Sequence, residues 1–483
     1  MKRFYIILFS LITITSVAQK KKQVKDDPLK TAAASDIQSH YDEYKKAALE
    51  IWNYAEVGYK EVKSSALLQK TLQDNGFTVE AGVAEIPTAF VATYGSGKPV
   101  IGILAEFDAL PGLSQTTDPV KTSAGKDAGH ACGHHLFGVA SAATGIEIKK
   151  LIEEKKLAGT IKVFGCPAEE GGSGKVYMVR AGLFNDVDIA IHWHPGSSNA
   201  ITMTSALANK SAKFRFHGIS AHAAGSPEKG RSALDGVEAM DNMVNMLREH
   251  IPQETRIHYV ITNGGKAPNV VPDFSEVYYY VRHPKRAQVV SIFDRVVDAA
   301  NGAALGTGTK VDYEIIGGTH DLLLNRSLAE LMQKNLEETG GVVYTSEEIE
   351  FGKKIQASFS EPVNDSLNSA NIIKPLKEDT EPGGGGSTDV GDVSYAVPTV
   401  GLSAATWVPG TSAHSWQAVA CGGTDIGFKG MMVAAKTMAL TAIDLYLHPE
   451  LIQKAKDEFT KAKGNYEYKA LLGDRKPALN YRD

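Results

Sequence analysis

The pattern of apolar and polar positions predicts a large domain built on a buried sheet. Mostly apolar runs at Val100–Ala105, Ile161–Phe164 and Val187–Ile191 are typical of strands that are covered on both faces. A similar run follows late in the chain at Val397–Ala405, and a helical pattern covers Leu136–Glu154. Strand, helix and strand in this order predict a mainly parallel sheet with helices on both faces.

The segment from Asn209 to His320 has a different pattern and is predicted to be an inserted domain. Ala212, Phe214 and Phe216 alternate with polar residues, as in a strand with one solvent-facing side. The helix and strand patterns that follow it cover Ala233–Glu249, Ile257–Thr262, Glu276–Arg282, Ala287–Leu305 and Lys310–Ile316. The order β-α-β-β-α-β is that of a ferredoxin-like α+β unit, so the predicted fold class is α/β with this unit inserted.

The N-terminus resembles a secretory signal peptide. Positive charge at Met1–Arg3 precedes an apolar stretch, Phe4–Val17, and small residues at Ser16–Ala18 suit a signal peptidase. A short membrane anchor is the alternative, but the stretch is too short to span comfortably and runs into Lys20–Lys22. We therefore expect an exported protein, periplasmic or secreted, that has no membrane association after cleavage.

These patterns divide the chain into six segments. They are a signal peptide 1–18, a flexible leader 19–34, a first large-domain part 35–208, the inserted domain 209–320, a second large-domain part 321–464 and a tail 465–483. The glycine-rich run Glu381–Ser387 is predicted as a loop, with a domain linker as the alternative. We favour a loop because the strand pattern at Thr399–Ala405 still needs a sheet.

Composition excludes several classes of protein. The 483 residues include 51 Lys and Arg against 56 Asp and Glu, a net charge of −5, so nucleic acid is not an expected partner. No phosphate-binding loop, dinucleotide fingerprint or serine nucleophile motif is present. The three cysteines, Cys132, Cys166 and Cys421, are too few for a disulfide scaffold, and at least one must be buried or bound to something.

Two clusters of potential ligands follow the first predicted strand. Glu106 and Asp108 are spaced so that both point the same way from a strand end, although surface or capping carboxylates share that spacing. The segment Gly129–His135 places one thiol and three imidazoles together, and these are ligands that zinc prefers. The alternatives are a catalytic thiol without metal and a helix start that merely tolerates histidine.

Three further features follow the later strands. Glu169 and Glu170 are adjacent, so their side chains diverge, and one can bind a metal while the other faces the water to be activated. The alternative is a pair of carboxylates at a helix start. His192 and His194 face the same side of a strand, and either can be a ligand, while His414 lies in a loop after the last strand.

Four motifs in register give the chain a family resemblance. It resembles the amidohydrolase branch of the aminoacylase and carboxypeptidase metallopeptidase superfamily. The motifs are Glu106–Pro111, Cys132–His134, Pro167–Gly172 and Ser220–Ala223. Leu110–Gln115 and Ser387–Asp392 favour the p-aminobenzoyl-glutamate hydrolase side of that branch.

The resemblance implies two divalent metal ions in the sheet domain and a ferredoxin-like lid that also forms a homodimer. Imidazole, thiolate and carboxylate donors suit zinc or manganese. The implied ligands are Cys132, His134, Glu170, His194 and His414. Of the two strand histidines, His194 has the family's spacing from Asp188. The family commonly has Asp or Asn after Cys-Gly-His, and His135 in its place either changes the orientation of His134 or adds a ligand.

The resemblance also implies roles for four residues outside the ligand set. Glu169 is the implied general base, and His222 of the lid is expected to reach the partner's site and stabilise the oxyanion. Asn269 and Arg282 are expected to hold the substrate amide and carboxylate.

We therefore expect hydrolysis of the amide bond in N-acyl or N-aroyl amino acids or small dipeptides. One alternative is a thiol hydrolase that uses Cys132 with His134 or His194 as base. Another is an exported binding protein without activity, which would have no use for the base Glu169.

Overall fold

The computed structural model describes residues 27–377 and 386–483. The predicted signal peptide, residues 19–26 of the leader and most of the glycine-rich run lie outside the described residues. The helices are α1 Pro28–Ser39, α2 Tyr41–Tyr54, α3 Val62–Asp74, α4 His134–Glu153, α5 Gly174–Arg180, α6 Ala233–Leu247, α7 Arg286–Thr307, α8 Arg326–Thr339, α9 Ser346–Ala357, α10 Val390–Ala396, α11 Trp416–Gly422, α12 Asp425–Leu447 and α13 Pro449–Lys463. The strands are β1 Thr78–Ala81, β2 Phe90–Gly95, β3 Val100–Glu106, β4 Leu110–Pro111, β5 Ala128–Gly129, β6 Thr160–Cys166, β7 Ile189–Gly196, β8 Ala200–Ile201, β9 Ala208–His217, β10 Arg256–Asn263, β11 Phe274–His283, β12 Lys310–Thr319 and β13 Thr399–Ala405.

The large domain is built on a seven-stranded sheet in the order β1-β2-β6-β3-β7-β13-β8. Its four central strands, β6, β3, β7 and β13, are parallel, and the outer strands pair antiparallel. Side chains of β3 alternate between two cores: Ile101 and Ile103 pack with α4 and α12, whereas Val100 and Leu104 pack with α5 and α10. This two-sided packing confirms the predicted mainly parallel sheet with helices on both faces.

The inserted domain has a separate four-stranded antiparallel sheet in the order β10-β11-β9-β12. Helices α6 and α7 cover one face and enclose a core that includes Phe214, Phe216 and Tyr279. The other face carries Tyr280 and Arg282, which line a cleft shared with the large domain. The ferredoxin-like unit is therefore confirmed, and we call this domain the lid.

The flexible-leader prediction is wrong for residues 28–34, which begin α1. Ala33 is buried, and Lys30 Nζ lies 2.6 Å from Asp444 Oδ2 of α12. A lysine in a polar stretch of sequence is expected to be exposed. Lys30 is buried instead, because the buried carboxylate of Asp444 pairs with its charge. The tail from residue 465 also packs against the protein, since Leu472 joins the core on the α5 side of the sheet.

One helix of the described residues, α12, is long and apolar enough to cross a membrane, with a mean hydropathy of 1.3. However, 89% of its apolar window is buried inside the protein, where α12 packs on α4 and β13. It is the central helix of the large domain.

Candidate metal-binding active site

The five side chains predicted as metal ligands meet at the carboxyl ends of the parallel strands. Their ligand atoms form two groups, Cys132 with His134 and His194, and Cys132 with Glu170 and His414, each within 4.8 Å. Cys132 Sγ lies 3.4 Å from His194 Nε2 and belongs to both groups. Two adjoining sets of thiol, imidazole and carboxylate donors with one shared thiol suit a pair of borderline divalent cations.

Hydrogen bonds direct the ligand nitrogens of two histidines toward this cluster. His134 Nδ1 lies 2.8 Å from Asp108 Oδ1, and His194 Nδ1 donates to the carbonyl of Pro195 at 2.7 Å. Each ring therefore keeps its Nε2 lone pair free for a cation. His134 Nε2 and Glu170 Oε1 are both buried, and their nearest polar partners are other groups of the cluster, Glu106 Oε2 at 3.2 Å and His414 Nε2 at 3.0 Å. Donor atoms that converge in this way fit a metal centre.

Two unusual backbone conformations bring the ligand loops together. Gly133, between Cys132 and His134, has φ +76°, and a Cβ there would lie only 2.7 Å from Pro195 Cβ. His414 adopts the left-handed region at φ 58°, and its N–H donates to the carbonyl of Ala131 at 3.0 Å. Glycine adopts such a φ without strain, whereas the conformation of His414 is strained and persists only where surrounding structure holds it, often at functional sites.

The two adjacent glutamates have opposite electrostatic environments. Burial, together with the charges of Glu106 and Glu170, raises the pKa of Glu169 well above its usual value. Burial also opposes ionisation of Glu170, but the hydrogen bond from His414 and the charge of His134 hold the pKa of Glu170 at about 2. Glu170 is therefore the charged carboxylate of the pair. Glu169 has the higher pKa and is the more easily protonated of the two.

Burial raises the pKa of Cys132 to about 12, although the neighbouring His134 opposes the shift. This environment does not favour a free thiolate, which a thiol hydrolase would need. A cation bound to the sulfur would deprotonate it directly.

A buried ion network behind the cluster was not predicted. Lys175 Nζ lies 2.7 Å from Glu106 Oε1 and 2.6 Å from Asp389 Oδ1, and all three side chains are at most 1% exposed. Only the lysine within the apolar helix α5 could have indicated this network from the sequence.

Asp108 holds a second part of the site besides the ring of His134, because it also accepts the N–H of Glu170 at 2.9 Å.

His135 and His192, two further histidines of the ligand motifs, lie outside both ligand groups. His135 Nε2 donates to the carbonyl of Gly422 at 2.9 Å, and His192 belongs to neither ligand group. Burial lowers the pKa of both rings to about 3, so each is neutral. His135 is thus a hydrogen-bonded core residue and adds no ligand.

Of the residues expected to contact substrate or the oxyanion, one lies at the cluster. Arg282 lines a cleft of about 270 Å³ together with Glu169 and His414. His222 and Asn269 are exposed on the lid instead. His222 Nδ1 accepts the N–H of Gly225 at 3.1 Å, and Asn269 is tied through its backbone to Ala223. Neither is brought to the ligand cluster of its own chain.

Comparisons with known proteins agree with this architecture. Residues 208–307 match the peptidase dimerisation domain family. The chain is 41% identical over 459 residues to one of the subunits of p-aminobenzoyl-glutamate hydrolase from Escherichia coli, covering 89% of this chain and 95% of that protein. It is 28% identical to human Xaa-Arg dipeptidase over 431 residues, covering 85% and 87%. A dinuclear metal-binding M20 peptidase of Bacillus subtilis has a similar fold, with TM-score 0.58, 15% identity and coverage of 85% and 99%.

A parallel sheet that carries two adjoining ligand groups, with an inserted dimerisation domain, defines the class of metal-dependent M20 hydrolases. Within it, the chain belongs to the amidohydrolase family that includes p-aminobenzoyl-glutamate hydrolase. It is a metal-dependent enzyme that hydrolyses amide or peptide bonds. The predicted family and reaction class are therefore confirmed.

Proposed function

We propose that this enzyme hydrolyses N-acyl or N-aroyl amino acids of the p-aminobenzoyl-glutamate type, or small dipeptides, next to a free carboxylate. The observation that carries the proposal is the cleft in which Glu169, His414 and Arg282 meet beside the shared thiol of Cys132. The five clustered side chains would hold two divalent cations, zinc or manganese. They are Cys132, His134, Glu170, His194 and His414.

Two such cations, when bound, supply Lewis acidity and make water a nucleophile near neutral pH. In this proposal Glu169 would accept the proton of the attacking water and return it to the leaving nitrogen. One carboxylate oxygen of Glu169 lies within 4.8 Å of ligand atoms of His134 and Glu106, so the carboxyl group faces the same space as the ligands. Arg282 offers a planar guanidinium to the substrate carboxylate, a geometry that favours paired hydrogen bonds.

We also propose a homodimer in which the lid completes the partner's site. His222 and Asn269 are exposed and adjacent on the lid, within the segment that matches the dimerisation family. In the dimer, His222 would stabilise the oxyanion and Asn269 would contact the substrate amide. Export is a further proposal, supported by the charged, apolar and small-residue pattern of residues 1–18.

A chelation experiment tests the proposed function. The purified enzyme is assayed on N-acetyl-, N-benzoyl- and N-(p-aminobenzoyl)-glutamate and on dipeptides, before and after metal removal, and again after addition of zinc or manganese. We expect activity that disappears on chelation and returns with one of these metals. Activity that survives chelation but is lost on thiol alkylation would instead establish the thiol hydrolase.

A further inference from the structure

Glu106 is a buried carboxylate at the carboxyl end of β3, and it is not one of the five predicted metal ligands. Its Oε1 lies 2.7 Å from Lys175 Nζ, and its Oε2 lies 3.2 Å from Nε2 of His134, the ring nitrogen left free for a cation. Glu106 and His194 also border the same cavity. The carboxylate therefore lies on the side of the ligand cluster that His134 and His194 form.

The contact between Glu106 Oε2 and His134 Nε2 does not have the geometry of a hydrogen bond. The two atoms are 3.2 Å apart and buried, yet neither has a hydrogen-bond partner. The oxygen therefore lies to one side of the axis along which the ring nitrogen would bind a cation. A second ligand of the same cation takes this position, because the cation itself occupies the axis.

The distance between the two atoms is that of neighbouring donors to one ion. Zinc bonds of about 2.0–2.2 Å to nitrogen and oxygen place neighbouring donors roughly 3–3.5 Å apart. Within the two ligand groups, Cys132 Sγ lies 3.4 Å from His194 Nε2, and His414 Nε2 lies 3.0 Å from a Glu170 oxygen. The separation of 3.2 Å between Glu106 and His134 lies between these two values.

The charges behind Glu106 also favour a cation at Oε2. Lys175 Nζ is shared with Asp389, whose Oδ1 lies at 2.6 Å, and all three side chains are at most 1% exposed. One ammonium group thus faces two carboxylates, so the network keeps a net negative charge toward His134. A buried charge is costly unless it is paired, and a bound cation would balance it.

We propose that Glu106 is a further metal ligand, which binds through Oε2 the cation that His134 holds. This inference rests on the proposed pair of metal ions. With Glu106, one ligand group has four donors: Cys132, His134, His194 and Glu106. The group that contains Glu170 keeps three donors. Four protein donors are typical of closed zinc sites, and three of sites that keep a position for water, so the two cations should bind with different affinities.

The test changes Glu106 in two ways. Glu106→Gln keeps the shape of the side chain and removes its charge, whereas Glu106→Asp keeps the charge and withdraws the carboxylate by one methylene group. The control is Glu61→Gln, because Glu61 is also fully buried but its oxygens accept hydrogen bonds from Ala168 and Thr88.

The measurement is metal binding to the full chain. Each protein is freed of metal and titrated with cobalt(II) and with zinc(II) against a chromophoric chelator, which gives the affinity of each site. The visible spectrum of the bound cobalt(II) reports the donors around it, and thermal melting confirms that each variant is folded.

We expect both Glu106 variants to weaken the tighter site about tenfold or more, because even the loss of a group that only orients a ligand has an effect of about that size. The cobalt(II) spectrum of that site should change as well. The weaker site should change less than about threefold, as should both sites of Glu61→Gln.

Three results would overturn the proposal while the metal pair stands. They are unchanged affinities in both Glu106 variants, losses in Glu106→Gln with wild-type affinity and spectrum in Glu106→Asp, and equal losses in Glu61→Gln. The second result would mean that the charge acts without coordination. If Glu106→Gln does not fold, Glu106→Asp alone decides. A wild type that binds neither metal would refute the proposed function itself, and this inference with it.

Discussion

The guanidinium of Arg482 donates from Nη2 to the backbone carbonyl of Glu170 at 2.5 Å. The hydroxyl of Tyr481 donates to the same oxygen at 3.1 Å. Farther back in the same tail, Arg475 Nη2 lies 3.5 Å from Glu314 Oε1 on the lid strand β12. The C-terminal segment therefore connects the lid to the backbone of a candidate metal ligand.

Arg482→Met should weaken metal binding about tenfold without unfolding the protein. A hydrogen bond from a charged donor contributes about 1.5–3 kcal/mol, and its loss frees the carbonyl that holds the Glu170 loop. Metal titration against a competing chelator measures the affinity, and Arg482→Lys should restore part of it. Lys476→Met is the control, because that exposed side chain pairs only with Glu85 in the described residues. Equal effects of both Met variants would mean that Arg482 has no specific role.

Asp108→Ala should lower metal affinity about 10- to 100-fold, the usual effect of removing a group that orients a ligand histidine. The carboxylate holds both the ring of His134 and the N–H of Glu170, so two ligands lose their orientation together. The measurement is the same chelator competition, with Asp186→Ala as control, since Asp186 pairs with Lys162 at the surface. An unchanged affinity would contradict the orienting role.

Glu169→Gln should lower turnover about 10²- to 10⁴-fold, the range for loss of a general acid-base. The metal content should remain that of the wild type, because Glu169 belongs to neither group that shares Cys132. Turnover on N-benzoyl-glutamate and elemental analysis of the same preparation provide the check, with Glu85→Gln as the surface control. Near-normal turnover would remove Glu169 from the mechanism.

Glu147 should make the enzyme less stable as the pH rises from about 4.5 to 8. Burial, together with its hydrogen bond to Asp36, raises the pKa of Glu147 to about 8, and the side chain is only 4% exposed. The folded state therefore keeps a proton that the unfolded state releases over this range. The free energy of unfolding should fall by at most about 1.4 kcal/mol per pH unit from this group.

Glu147→Gln should remove that contribution and raise stability most at pH 8. Urea unfolding at pH 5, 6, 7 and 8 measures the slope for both proteins. Glu153→Gln is the matched control on the same helix, since its carboxylate is exposed and paired with Lys149. Parallel stability curves for the wild type and Glu147→Gln would show that the proton is not retained.

Mixing inactive His222→Ala protomers with inactive Glu169→Ala protomers should restore activity if the lid of one chain serves the site of the other. Each mixed dimer would contain one site with both an intact His222 and an intact Glu169. At random exchange, half of the dimers are mixed, so about a quarter of the wild-type activity is expected. Exchange is verified by tagging one variant, and no recovery after verified exchange would exclude a shared site.

Local patterns in the sequence were enough to predict the main helices and strands and the types of donor group in the ligand motifs. The buried run that became β3 and the alternation that became β9 depend on periodicity, which reports burial directly. Parallel strands bring their carboxyl ends to one edge, so motifs that follow them were expected to converge. The motifs that carry thiol, imidazole and carboxylate donors were thus identified from residue type and position, whereas the choice of Glu170 and His194 as ligands came from the family resemblance.

Only the tertiary structure decided what those residues contact. It placed His194 beside Cys132, turned His135 to the carbonyl of Gly422, and paired Lys175 with carboxylates from distant segments. It also packed residues 28–34 into α1 and laid the C-terminal tail against Glu170. These contacts join residues tens to hundreds of positions apart, and local periodicity carries no information on which distant groups will satisfy a buried charge or carbonyl.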